Sequence, residues 1–97
     1  MTKTILIVDD DPAQRRLLHA AVERNGFATR VAENGHGAVT SVETHADIDI
    51  VLLDLVMPGM SGQEALKEIR QRRADLPCIV LTASGGIDTV EIGRAHV

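Results

Sequence analysis

"ILIVDDDPAQ" (residues 5–14) runs four aliphatic residues directly into three aspartates and a proline. A continuous apolar run of this length suits a β-strand covered on both faces. Asp11-Pro12-Ala13-Gln14 then reads as a helix start. Asp11 is the expected N-cap, Pro12 fits the first helical position, and Gln14 can close a capping box. The stretch is therefore the opening of a β-α unit. It crowds Asp9, Asp10 and Asp11 at the strand's carboxyl end, where like charges repel.

Working outward, the same alternation recurs. Leu17, Leu18, Ala21 and Val22 continue the first helix at helical spacing, as a stripe expected to join the core, until Asn25-Gly26 stops it. "FATRVA" (27–32) is a short second strand, and Asn34-Gly35 leads into a weaker helix carrying Ala38, Val39 and Val42. "IDIVLLD" (48–54) is a third strand that again ends in an aspartate. "LVMPGM" (55–60) is a loop, and Ser61-Gly62-Gln63-Glu64 has the S-x-x-E capping pattern ahead of Leu66, Ile69 and Arg70. "CIVLT" (78–82) is a fourth strand, Gly85-Gly86 a loop, and Ile87 onward the start of a further helix. Strands alternating with helices imply an α/β fold, a parallel sheet with helices on both faces.

The totals bound the function. The 97 residues allow one domain with one core, 44% hydrophobic and 25% charged. A net charge of −4 with no basic stripe argues against nucleic-acid binding by this segment. No run approaches the ~18 apolar residues of a membrane span, and "MTKTILIVDD" lacks the small-residue cleavage site of a signal peptide. The single Cys78 excludes an internal disulfide, fits a reducing cytoplasm, and reads as a small core residue. His19, His36 and His45 lack ligand spacing, and Arg15 and Arg16 read as a solvated face.

In open parallel sheets ligands sit beyond the carboxyl ends of the strands. Asp9, Asp10, Asp54 and Thr82 all fall at such ends. If the first and third strands are neighbours, three carboxylates converge, and a divalent cation relieves their repulsion. Oxygen-only ligands suit Mg²⁺, which is held by one or two carboxylates and accepts a phosphoryl oxygen. Asp54 is then the candidate nucleophile for forming an acyl phosphate, and the Thr82 hydroxyl a donor to a phosphoryl oxygen.

"ILIVDDDP", "VLLDLVMPGMSG" and "IVLTA", in that order and spacing, resemble the three signatures of a two-component response-regulator receiver domain. The resemblance covers the chain to about Val90 and implies a flavodoxin-like strand order, here 2-1-3-4 with the fifth strand and helix missing. It implies phosphorylation of Asp54 by a sensor histidine kinase or phosphotransfer protein. Mg²⁺ would be held by Asp9, Asp10, Asp54 and the backbone carbonyl of Val56. Thr82 would be the switch hydroxyl, and an effector would lie elsewhere in the parent protein. Such a module is a cytoplasmic phospho-acceptor rather than a turnover enzyme. The family's strand-end lysine has no counterpart, since the only lysines are Lys3 and Lys67. The competing readings are an aspartyl-phosphate phosphatase, which needs a D-x-D motif and a lysine, and a pseudo-receiver that only mediates contacts.

The ending "EIGRAHV" (91–97) fits the resemblance poorly. GAG-ATC-GGA-AGA-GCA-CAC-GTC encodes it and resembles a widely used sequencing adapter. The expected organisation is therefore a truncated receiver over 1–91 and a non-native tail over 92–97. A bare fourth-strand edge would leave such a chain unstable or aggregation-prone.

Overall fold

The computed structural model of the chain describes residues 2–54 and 62–81, and the backbone of 87–89. The element order is β1 (Thr4–Val8), α1 (Pro12–Arg24), β2 (Ala28–Ala32), α2 (Gly35–Thr44), β3 (Ile48–Asp54), α3 (Gly62–Arg72), β4 (Cys78–Leu81) and β5 (Ile87–Thr89). Local chemistry accounts for most of the boundaries. Asp11 caps α1 by accepting from the Ala13 N–H at 3.0 Å, with Pro12 at the first helical position. The chain leaves that helix through Gly26 at φ +89°, a left-handed conformation that glycine adopts without penalty. Asn34 caps α2 by accepting from the Gly37 N–H at 2.7 Å. Ser61, the expected cap of α3, lies outside the described residues.

The sheet order is β2-β1-β3-β4-β5, and the first four strands are parallel. The expected order 2-1-3-4 is the one observed. One segment differs from expectation. Ile87–Thr89, read from sequence as the opening of a helix, pairs antiparallel with β4, Leu81 opposite Ile87 and Ile79 opposite Thr89. An edge strand presents unpaired N–H and C=O groups, and β-branched Ile87 and Thr89 suit pairing better than a short isolated helix. The β4 edge is thus paired over three residues rather than bare.

Alternation along the strands splits the apolar residues between two faces. Leu6, Val8, Val51, Leu53 and Cys78 join α2 and α3 residues (Ala38, Val39, Val42, Ala65, Ile69) in one core. Ile48 belongs to the same core, which strict alternation from Val51 would forbid. The register shift between Thr4 and Ile5 resolves this: Thr4 pairs Ile48, Ile5 pairs Ile50, and Asp49 is the extra residue. Its carboxylate takes the Thr4 N–H at 2.8 Å.

The opposite face carries Ile5 and Ile7, both buried, with α1 packed over β1 and β2. Ile50, Leu52, Ile79 and Leu81 on that face are only half-buried. The expectation that the α1 stripe joins the core needs correction. No residue of α1 is buried; Leu18 and Val22 are half-buried, and Leu17 is 72% exposed. Among the described residues the helix packs mainly against β1 and β2, and Leu17 on its outer flank meets water. Among the described residues no helix is long and apolar enough to cross a membrane.

Two truncations separate these faces. Leu53→Ala, emptying a fully buried site, is expected to cost about 2–5 kcal/mol in urea unfolding. Leu17→Ala is expected to change stability by no more than about 0.5 kcal/mol. Comparable losses from both would contradict the packing described.

Candidate functional site

Sheet register brings the first acids together. Val8 and Leu53 are paired neighbours on β1 and β3, and Asp9 and Asp54 are the next residue of each strand's path. Both follow the alternation of Ile7 and Leu52, so their side chains leave the α2–α3 core and emerge at the carboxyl end of the sheet. Asp9, Asp10 and Asp54 each place a carboxylate oxygen so that all three lie within 4.8 Å of one another. Asp9 is fully buried, Asp54 half-buried and Asp10 exposed.

Asp9 is held on every side but one. Its N–H donates to the Ala32 carbonyl at 3.1 Å. Its own carbonyl accepts from Arg15 Nη1 at 2.8 Å. Carboxylate Oδ1 accepts the Asp11 N–H at 2.9 Å. Oδ2 is buried and, among the described residues, has no hydrogen-bond partner. The capping box expected at Gln14 is thus built differently: the Asp11 N–H goes to Asp9, because that carboxylate already stands over the helix entrance. Asp11 itself serves as the cap, as expected, and is not one of the three clustered acids.

Burial drives the Asp9 carboxyl above the ordinary carboxylate range. The Asp11 N–H bond opposes that rise, while the negative charges of Asp54, Asp10 and Asp11 add to it. The donor set is all oxygen, one donor is buried and unsatisfied, and like charges face one another. These residues fit a hard divalent cation of the Mg²⁺ kind, which would satisfy Oδ2 and offset the repulsion.

Thr82 and Val56, the other expected site residues, lie outside the described residues, as do Met57–Gly59. Sequence reading missed Arg15, taken as solvated; it is half-buried, with its guanidinium on the Asp9 carbonyl. A cation one turn into a helix that follows a strand-end acid was the available signal. Cys78 is buried and its thiol is pushed up to about 11 by burial, in keeping with a core role. His19 pairs with Glu23 at 2.9 Å along α1 and is not one of the clustered groups.

The state of Asp9 has a stability consequence. A carboxyl that holds its proton more tightly when folded contributes its full stability below the ordinary carboxylate pKa. It loses that contribution as pH rises through the raised folded value. At neutral pH without divalent cation, Asp9→Asn is therefore expected to raise the melting temperature, by about 4–8 °C for each kcal/mol relieved. The gain should shrink in acid. Thermal scans showing a lower midpoint for the variant at neutral pH would contradict the reading.

Comparison with known proteins agrees with this geometry. A family model described as the response regulator receiver domain matches residues 5–95. The transcriptional regulatory protein ResD of Bacillus subtilis is 46% identical over 81 residues, 84% of this chain and 33% of ResD. The chain thus spans about a third of that relative's length. The response regulator protein TrrA of Thermotoga maritima, solved in complex with Mg(2+)-BeF, superposes with a TM-score of 0.81 at 41% identity, covering 84% of this chain and 70% of that one. TrrA solved in complex with the histidine kinase ThkA gives a TM-score of 0.77, with the same identity and coverage. With the sequence match spanning nearly every residue and the acids meeting where such a sheet binds its ligands, this chain belongs to the response regulator receiver domains of two-component systems.

Proposed function

We propose that this receiver domain accepts a phosphoryl group on Asp54, with Mg²⁺ bound, from a sensor histidine kinase or phosphotransfer protein. The observation that carries the reading is the acidic trio within 4.8 Å, one of whose oxygens is buried and unsatisfied. The solved complexes of TrrA with Mg(2+)-BeF and with ThkA support it by similarity.

In this reading an Asp54 carboxylate oxygen attacks phosphorus. The new O–P bond forms as the N–P bond of the donor's phosphohistidine breaks, and the imidazole leaves with the bonding pair. Asp9, Asp10, Asp54 and the Val56 carbonyl would hold the cation. When bound it supplies neutralisation of charge on the transferring group. Thr82 provides the hydroxyl that the phosphoryl group draws in, biasing a two-state element that an effector in the parent protein senses. Such a domain works in the cytoplasm and turns over no substrate beyond its own acyl phosphate.

The phosphatase reading is less well supported. The first acids are adjacent rather than D-x-D, and Lys3 and Lys67 both stand away from the strands' carboxyl ends. A passive pseudo-receiver would have no use for three converging carboxylates. We also propose that the receiver occupies residues 1–91 and that 92–97 are adapter-encoded. The family match extends to residue 95, so that boundary rests on the codon reading, and codons unlike the adapter in the nucleotide record would remove it.

Incubation with Mg²⁺ and a small phosphodonor such as acetyl phosphate tests the main reading. Mass spectrometry should show a gain of one phosphoryl group that Asp54→Asn or chelation abolishes. Steady turnover of a phosphate ester would favour the phosphatase, and no gain at all the passive module.

A further inference from the structure

The β1–β2 ladder ends at Asp9, whose N–H makes the last bond to β2 through Ala32 O. Beyond Ala32 the chain turns into α2, so no strand N–H is left to reach the Asp9 carbonyl. Arg15 fills that place from another element, with Nη1 at 2.8 Å. The Arg15 backbone is fixed in turn, its N–H donating to the Asp11 carbonyl at 2.9 Å. The Asp11 N–H donates to Asp9 Oδ1 at 2.9 Å, which closes a circuit of three hydrogen bonds through Asp9, Asp11 and Arg15. Among the described residues every polar atom of Asp9 is thereby committed except Oδ2.

We propose that Arg15 is a positioning residue for the cation site. By clamping the Asp9 carbonyl it fixes the backbone from which the open Oδ2 projects, and so presents that oxygen to the metal. The inference rests on the magnesium reading above. It differs from a simpler role for a positive side chain near three acids, which is to offset their charge. Among the described residues the guanidinium is engaged by a carbonyl and not by a carboxylate.

The two roles predict opposite signs. Removing a charge that competes with the cation would tighten Mg²⁺ binding by Coulomb's law. Removing an outer hydrogen bond that orients a ligand weakens it, typically about tenfold or more. Arg15→Met keeps the aliphatic stem and loses both the donor and the charge. The test is an NMR titration of the full chain with Mg²⁺ in the cold, following backbone amides, with spectra that also establish that each variant is folded. About tenfold weaker binding in folded Arg15→Met supports the proposal, since a loss confined to stability would leave the affinity of the folded molecules unchanged. Equal or tighter binding overturns it. Should Arg15→Met fail to fold, Arg15→Gln, also neutral, is judged by the same rule. Absence of saturable Mg²⁺ binding in the unaltered protein overturns the magnesium reading and this inference together. Binding in the unaltered protein with no loss in the variant overturns this inference alone.

Discussion

Repulsion among carboxylates at one end of a sheet is the constraint around which this domain is arranged. The pairing of Val8 with Leu53 leaves Asp9 and Asp54 no choice but to emerge side by side. Asp10 follows immediately on the chain. Burial of Asp9 raises the cost further, because a carboxylate deprived of water is favoured only when partners replace it. Among the described residues the backbone goes part of the way, offering the Asp11 N–H to Oδ1 and leaving Oδ2 without a partner. An arrangement of this kind is compatible with a divalent cation, which is the basis of the function proposed above.

The rest of the fold holds those acids in place. The core beneath them is aliphatic, built from strand residues of β1 and β3 against α2 and α3. The bulge at Asp49 lets Ile48 join that core while Val51 and Leu53 keep their phase, and it is that phase which aims Asp54 outward. The other face is thinner. There α1 rests mainly on β1 and β2, and its role at the site comes less from burial than from its first turn, where Asp11 and Arg15 both bond to Asp9. Asp9, Asp11 and Arg15 are therefore parts of one hydrogen-bonded corner.

Much of this was legible in the residues. The strand at 48–54 has the bounds its apolar run predicts, because a run closed by Asp at both flanks has few other readings. The Asp11-Pro12 start and the Asn25-Gly26 stop of α1 are local backbone chemistry and were read correctly. Ile87–Thr89 was misread because a three-residue segment has too little periodicity to identify itself, and its conformation is set by the β4 edge it pairs with. Arg15 was misread because its partner is a backbone carbonyl, which is invisible in a string of side chains. The exposure of Leu17 was missed for a related reason: helical spacing shows which residues share a stripe, and does not show how much of the sheet lies beneath it.

The sequence by itself determined the alternation of strands and helices, the caps, and the identity of the acids at strand ends, since these follow from local propensity and spacing. That β1 lies beside β3 was implied by the family resemblance and is the order observed; tertiary structure alone decided that the first helix stays half in water and that, among the described residues, one oxygen of Asp9 is left without a partner. Those outcomes depend on which distant residues become neighbours. That is fixed by how the sheet is ordered and phased, a property of the assembled strands rather than of any one of them.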